Sequence, residues 1–297
     1  MGIACFFKNL KYMFKISLKD INKRIIDLEN PINNKYILEQ IFYEFPNSEI
    51  ARPRILNHEQ TINEILEKRK SIARFGDGEI SIINGNSIPF QEYNKVLATR
   101  LKNILENKNN NILVGINYEY YYPKINLLNK DVADFYRYYV PKYREKLSSL
   151  IDWNTKYCAA GFTQLYMSYK NYDLESHYNI LRKIWNKQLI LLVGCKEAFS
   201  DIKFNIFDNS EKIDYLYIPN KNAYSNYDDI YSSITKYTKN TIIILMAGPC
   251  AKLLVEDLSN QNYFTLDLGH LMKDYDWYKK NIVRDSKNIN KFMLPDE

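Results

Sequence analysis

From about residue 60 to residue 280, short apolar runs alternate with amphipathic stretches. Two runs dominate, Gln188 to Gly194 and Thr241 to Gly248. Both are apolar at nearly every position, not at every second one, and both end in glycine. Such runs fit strands covered on both faces. Weaker strands are expected at Ile112–Ile116, Tyr157–Ala160, Ile213–Ile218 and Asn262–Leu268, and a short one leading into Asp77. Helical periodicity predicts helices over Thr61–Arg69, Glu92–Asn107, Thr163–Tyr169, His177–Asn186 and Tyr227–Tyr237. Thr61 reads as the cap of the first, with Glu64 at the capping-box position. Asp131–Leu150 is helical but divided by Pro141. A short helix follows Lys196, and Pro249 opens another. The alternation predicts an α/β fold, Rossmann-like, with a mostly parallel sheet and helices on both faces. No repeat or linker divides residues 46–297, which read as a single domain.

Residues 1–45 stand apart as a basic amphipathic helical extension. Ile3, Phe6, Phe7, Leu10, Phe14, Leu18, Ile21 and Ile25 recur at helical steps, with Lys8, Lys11, Lys15, Lys19, Lys23 and Arg24 between them. Charges interrupt the pattern too often for a bilayer span. Peripheral contact with an anionic membrane face and docking on the chain's own domain both fit it.

Composition narrows the partners. The net charge of +6 is modest and spread along the chain, and no nucleic-acid motif is present, so nucleic acid is not expected as a partner. Cys5, Cys158, Cys195 and Cys250 are far apart, which argues against a zinc site. No secretory signal peptide is evident, and a cytoplasmic location is expected, with peripheral contact at the inner membrane face compatible with it.

Candidate chemistry falls at the expected carboxyl ends of the strands, where open α/β sheets bind ligands. Arg74-Phe75-Gly76-Asp77-Gly78-Glu79 places two carboxylates around a glycine. Hard oxygen ligands of this kind suit Mg²⁺ or Mn²⁺ shared with substrate phosphates. Asp-Gly is equally a turn signature. Gly194-Cys195-Lys196 and Gly248-Pro249 are strand-to-helix junctions at which free amides or the Lys196 ammonium could meet a phosphate, or simply turns. Asp267-Leu268-Gly269-His270 closes the last strand. Asp274 and Asp276 read as a solvated helix start, and His58 and His177 as surface residues. There is no G-x-G-x-x-G fingerprint, P-loop or nucleophile elbow. Together the features suggest a nucleotide-diphosphate ligand held with a divalent cation.

Four blocks, in order, resemble the GT-D-fold glycosyltransferases of bacteria. Arg74 to Glu79 is similar to that family's R-F-G-D-G-E block. Ile218-Pro219-Asn220-Lys221-Asn222-Ala223-Tyr224 resembles its I-P-x-x-N-A-F block, and Ala247 to Leu254 its G-P-T-A block. Asp267 to Trp277 resembles its D-I-G-H ending. Cys250 stands where Thr is usual, and Met272 and Asp274 where the family often has Asp and Glu. The resemblance implies transfer of a sugar, with glucose the known type, from a UDP-sugar. The acceptor would be a glycan, glycoprotein or lipid-linked oligosaccharide. It also implies that Asp77 and Glu79 engage Mn²⁺ or Mg²⁺. In this reading Arg74 pairs with phosphate or braces the turn, and Gly76, Asn222, Gly248, Pro249 and Lys196 shape the nucleotide site. Asp267 and His270 are candidates for acceptor deprotonation or sugar contact. A base should titrate near the working pH, which favours His270. Hydrolysis of a nucleotide sugar or phosphate ester, and a non-catalytic membrane-surface module, are the alternatives.

Overall fold

Eight parallel strands form one sheet in the computed structural model, which describes residues 52–106, 111–138 and 140–283. The strands are β1 (Arg54–Ile55), β2 (Ser71–Arg74), β3 (Ile112–Ile116), β4 (Lys156–Ala159), β5 (Leu189–Gly194), β6 (Lys212–Tyr217), β7 (Ile242–Met246) and β8 (Thr265–Asp267). Their order across the sheet is β1-β4-β3-β2-β8-β7-β5-β6. The expected strands are all present, within a few residues of their expected ends. β1 is an addition: two residues next to Pro53 carry no readable pattern, and its partner is β4, a hundred residues away.

The helices beyond one turn are α1 (His58–Lys68), α2 (Asp77–Ile83), α3 (Lys95–Leu105), α4 (Lys130–Tyr138), α5 (Val140–Ser148), α6 (Leu174–Arg182), α7 (Tyr227–Ile234), α8 (Cys250–Asn260) and α9 (Leu271–Lys280). α1 begins earlier than expected. Asn57 caps it, and Asn57 and Gln60 exchange side-chain to backbone hydrogen bonds of 2.9 and 3.0 Å. Thr61 serves the tertiary structure instead. Its hydroxyl donates to the Asn57 carbonyl at 2.8 Å and accepts from the Ala159 amide at 3.0 Å, tying α1 to β4. Pro141, where a break was expected, lies in the first turn of α5, where a missing N–H costs least.

The central strands explain themselves. Ile72, Leu192, Ile244 and Leu266 are fully buried and join Phe162, Tyr178, Trp185 and Phe207 in one core. Each such aliphatic side chain contributes roughly 1.5–3 kcal/mol through burial. The edges differ. β1 is short, and β6 alternates exposed and half-buried residues, with Lys212 and Asp214 paired at 3.0 Å.

The topology positions the site. From β2 the chain winds outward to β3, while β7 and β8 fill the opposite side, so β2 and β8 become neighbours through Ile72 and Leu266. The winding reverses between them. Open α/β sheets form their ligand crevice at such a reversal, outside the carboxyl ends of the strands. Among the described residues no helix is long and apolar enough to cross a membrane. The basic extension, residues 1–45, lies outside the described residues.

Candidate active site

β2 and β8 end side by side on Arg74 and Asp267. The Arg74 amide donates to Asp267 Oδ2 at 3.0 Å, and its Nε to the Asp267 carbonyl at 2.7 Å. Nη1 reaches across β3 to the Ala160 carbonyl at 2.9 Å and to the Thr163 hydroxyl. Nη2 packs against Gly269, whose φ is +50°. A Cβ there would lie 2.2 Å from Nη2, so only glycine admits this guanidinium pose. Arg74 therefore ties the ends of β2 and β8 to the Ala160–Thr163 segment.

The Asp77–Glu79 pair occupies the first turn of α2 and is not a hairpin turn. Helical geometry sends its side chains in different directions. Glu79 is buried and turns inward: Oε2 accepts from the Gly76 amide at 2.9 Å, and Oε1 lies 2.9 Å from Lys252 Nζ. Lys252, on the first turn of α8, is 5% exposed and also meets Asp267 Oδ2 and the Gly248 carbonyl, each at 3.1 Å. Burial alone would lower the Lys252 pKa, but Asp267 and Glu79 outweigh it and hold the ammonium above its ordinary value. Burial would likewise raise Asp267, and Lys252 and Arg74 outweigh it and hold that carboxyl low.

Asp77 faces the other way. It is exposed to solvent. Its incomplete hydration, reinforced by the Glu79 charge, raises its pKa, while the amides of Asp77 and Gly78 oppose the shift. Its charge is felt by Tyr120, beyond β3, and by Tyr143 on α5, which place the insert between β3 and β4 beside it.

The other expected site residues divide. Gly248 and Asp267 join the cluster directly. Gly248 has φ +52° with open space where a Cβ would point, which leaves room for a ligand to approach its backbone. Pro249 precedes α8 as the cap residue. His270 is half-buried beside the cluster, and its pKa is lowered to about 4, by burial first and then by Arg74 and Lys273. The expectation that it titrates near neutral pH is therefore overturned: burial next to cations keeps the imidazole neutral and makes it a weak base. Asp267, committed to Lys252 and Arg74, is an anchor and a poor proton acceptor. Asn222 adopts φ +56°, and its Oδ1 accepts from the Glu92 amide at 2.7 Å, so it braces two loops. Lys196 is exposed beyond β5, two strands from β8.

Several polar residues were misread or missed. Asp274 is fully buried and accepts from the amides of Tyr166 and Met167 and from the Tyr178 hydroxyl. Asp276 accepts from the amides of Lys203 and Phe204, both at 2.9 Å, and meets Lys280 Nζ at 2.6 Å. Neither is a solvated helix start. His177 is buried and bonds the Phe162 carbonyl at 2.7 Å. His58 is buried against Glu119, whose carboxyl also accepts from Tyr169. Burial would raise Glu119, but His58 outweighs it and the pKa is lowered. Lys252 was missed; its position in the first turn after a strand-ending Gly-Pro was the available signal.

A family model of the GT-D glycosyltransferase fold matches residues 72–293, which contain the whole crevice. The chain belongs to the GT-D-fold glycosyltransferase family. It is 28% identical over 257 residues to a probable glycosyl transferase, Gly, of Streptococcus gordonii, covering 84% of this chain and 37% of that protein. It is 26% identical over 228 residues to the glycosyltransferase GlyD of Streptococcus pneumoniae serotype 4, covering 74% and 27%. The chain thus spans about a third of the length of these curated relatives. A solved structure described as the highly conserved domain of unknown function 1792, with a distinct glycosyltransferase fold, superposes with a TM-score of 0.74 at 29% identity, covering 83% of this chain and 86% of that one. A new glycosyltransferase from Streptococcus sanguinis superposes at 0.73 with 26% identity, covering 77% and 86%.

Metal fit follows from the donor set. Among the described residues no three His, Cys, Asp or Glu side chains converge on a point where an ion could sit. Asp77 suits a cation that draws its remaining ligands from phosphates and water, as Mg²⁺ and Mn²⁺ commonly do. Both Glu79 oxygens are already engaged.

Proposed function

We propose that this GT-D member transfers a sugar, with glucose as the first candidate, from a UDP-sugar to a glycan, glycoprotein or lipid-linked oligosaccharide acceptor in the β2/β8 crevice. The observation that carries the reading is the pairing of the family match with its geometry. Two cations, the half-buried Arg74 and the buried Lys252, lie at the reversal point of the sheet near a solvent-facing carboxylate, Asp77. In the transfer an acceptor hydroxyl attacks the anomeric carbon, the bond to the diphosphate oxygen breaks with its electron pair leaving on UDP, and the hydroxyl proton passes to a base or to water. Arg74 and Lys252 favour the developing negative charge through a low-dielectric surround. The open backbone at Gly248 admits the nucleotide on the β7 side, and Asn222 holds the neighbouring loop in place. A Mn²⁺ or Mg²⁺ ion at Asp77 would supply Lewis-acid neutralisation of the diphosphate.

The acceptor side is the less specified half. Tyr143 on α5 is half-buried near Asp77, and its ring and hydroxyl suit a carbohydrate approaching the donor. A UDP-sugar supply supports a cytoplasmic site of action, and the basic pattern of the first 25 residues supports contact with an anionic membrane face.

The test is release of UDP from UDP-glucose, followed with and without a panel of glycan and glycopeptide acceptors. Acceptor-stimulated release with the sugar recovered on the acceptor is expected. Release indifferent to every acceptor would favour the hydrolase, and no turnover of any nucleotide sugar would favour a binding module.

A further inference from the structure

We propose that the two carboxylates of the Asp77–Glu79 pair have separate duties: Asp77 serves the substrate side, whereas Glu79 and Lys252 form a fixed ion pair that shapes the crevice and binds no metal ion. The inference rests on the donor reading above only for what Asp77 does; the Glu79–Lys252 pairing stands on geometry alone.

An ammonium has three N–H donors, and Lys252 directs them at three acceptors from three elements. These are Glu79 Oε1 from α2 at 2.9 Å, Asp267 Oδ2 from β8 at 3.1 Å and the Gly248 carbonyl beyond β7 at 3.1 Å. Lys252 and Glu79 are 5% and 8% exposed, so water replaces neither partner. The other Glu79 oxygen caps the Gly76 amide at 2.9 Å. Moving Glu79 onto an ion beside Asp77 would break that cap and leave Lys252 short of a counter-charge in the interior, which is strongly unfavourable. Lys252 already occupies the place between two buried carboxylates where a divalent ion would otherwise be needed. Among the described residues Asp77 has no ion pair to a cation, and the amides of Asp77 and Gly78 face its carboxylate. Lys252 is thus a positioning residue. It fixes the Gly248 backbone, Asp267 with its Arg74 partner, and the start of α2 on which Asp77 rides.

The decisive experiment uses wild-type crystals grown with UDP and MnCl₂, with the ion located by its anomalous signal. The ion is expected on Asp77 and the diphosphate, with Glu79 still on Lys252. An ion bonded to Glu79, with Lys252 swung away, overturns the proposal. In solution, electron paramagnetic resonance titration of Mn²⁺ in the presence of UDP should show saturable binding lost in Asp77→Asn. In Glu79→Gln it should be retained, weakened by about tenfold as for a partner outside the metal's own shell. Equal loss in both folded variants overturns the proposal. A wild type that binds UDP but no Mn²⁺ refutes metal dependence and upholds the Glu79 assignment.

A double-mutant cycle on thermal midpoints tests the pair without any ligand. Lys252→Met should cost more alone than together with Glu79→Gln, and strict additivity contradicts the pairing. The positioning role is read from UDP affinity in chelator. Lys252→Arg should hold it within a few-fold, and Lys252→Met should lower it by about tenfold or more. Unchanged affinity in Lys252→Met leaves Lys252 a merely structural residue and contradicts the positioning role.

Discussion

Two kinds of buried carboxylate, Asp267 and Asp274, lie within a short stretch of this chain and are neutralised in different ways. Asp267, with Glu79 beside it, is matched by cations, Lys252 and Arg74. Asp274, seven residues later on α9, is matched by two backbone amides and a tyrosine hydroxyl. Asp276 combines two amides with Lys280. Neutral donors satisfy a carboxylate locally and clamp α9 to the segments around Tyr166 and Phe204. Paired cations keep their charge close to the rim: the His270 pKa is lowered by burial first and then by Arg74, Lys273 and Lys252, with Asp267 opposing. Buried acid met by amides marks scaffold here. Buried acid met by cations at a strand-end reversal marks the place where an anionic ligand would be received.

The largest effect should come from the scaffold. Asp274→Ala strands three buried donors, and chemical denaturation should show a loss of about 4 kcal/mol. A loss under about 1 kcal/mol would mean that amide-bound carboxylates are dispensable and would blur the contrast. Lys252→Met leaves two carboxylates facing each other in the interior and should cost about 3 kcal/mol. The same assay would sharpen the comparison, because the rim should suffer less than α9.

Acidification probes both regions at once. His177 and His270 each have a pKa lowered to about 4, with burial the first cause. Between the unfolded value of 6.5 and the folded value, the unfolded chain binds more protons, so stability is complete above pH 6.5 and falls as pH drops toward 4. The slope should approach about 1.4 kcal/mol per pH unit for each histidine, and His177→Gln should remove one proton's share. A flat profile over that window would contradict the neutral state of both rings. The smallest effect on stability belongs to Asp77→Asn. Removing a charge that Glu79 repels should leave the midpoint of unfolding within about 0.5 kcal/mol of wild type or slightly higher. A substantial loss would show that Asp77 is scaffold after all.

Much of this contrast was legible in the chain itself. The apolar runs located every strand except β1, because burial on both faces writes a continuous pattern. Arg74, Glu79, Gly248 and Asp267 come together with Lys252 at the strand ends, and Asp77 faces away from them. What stayed hidden depends on partners distant in sequence. Asp274 and Asp276 read as solvated because nothing nearby announces that their oxygens meet amides about a hundred and about seventy residues earlier, respectively. His58 and His177 sit in polar local sequence, yet Glu119 and the Phe162 carbonyl receive them in the interior. Lys252 looks like any helical lysine until β2 and β8 are set side by side. Thr61 has a cap's chemistry but spends its hydroxyl on β4, and Asn57 does the capping.

The central claim is that Asp77, backed by Arg74 and Lys252, receives a UDP-sugar. Calorimetric titration of UDP and UDP-glucose, with Mn²⁺ and with chelator, on wild type and on Asp77→Asn tests it most directly. Metal-dependent binding by wild type that disappears in a folded Asp77→Asn variant is the predicted result. Failure of wild type to bind either ligand under any metal condition, or binding indifferent to Asp77→Asn, would contradict it.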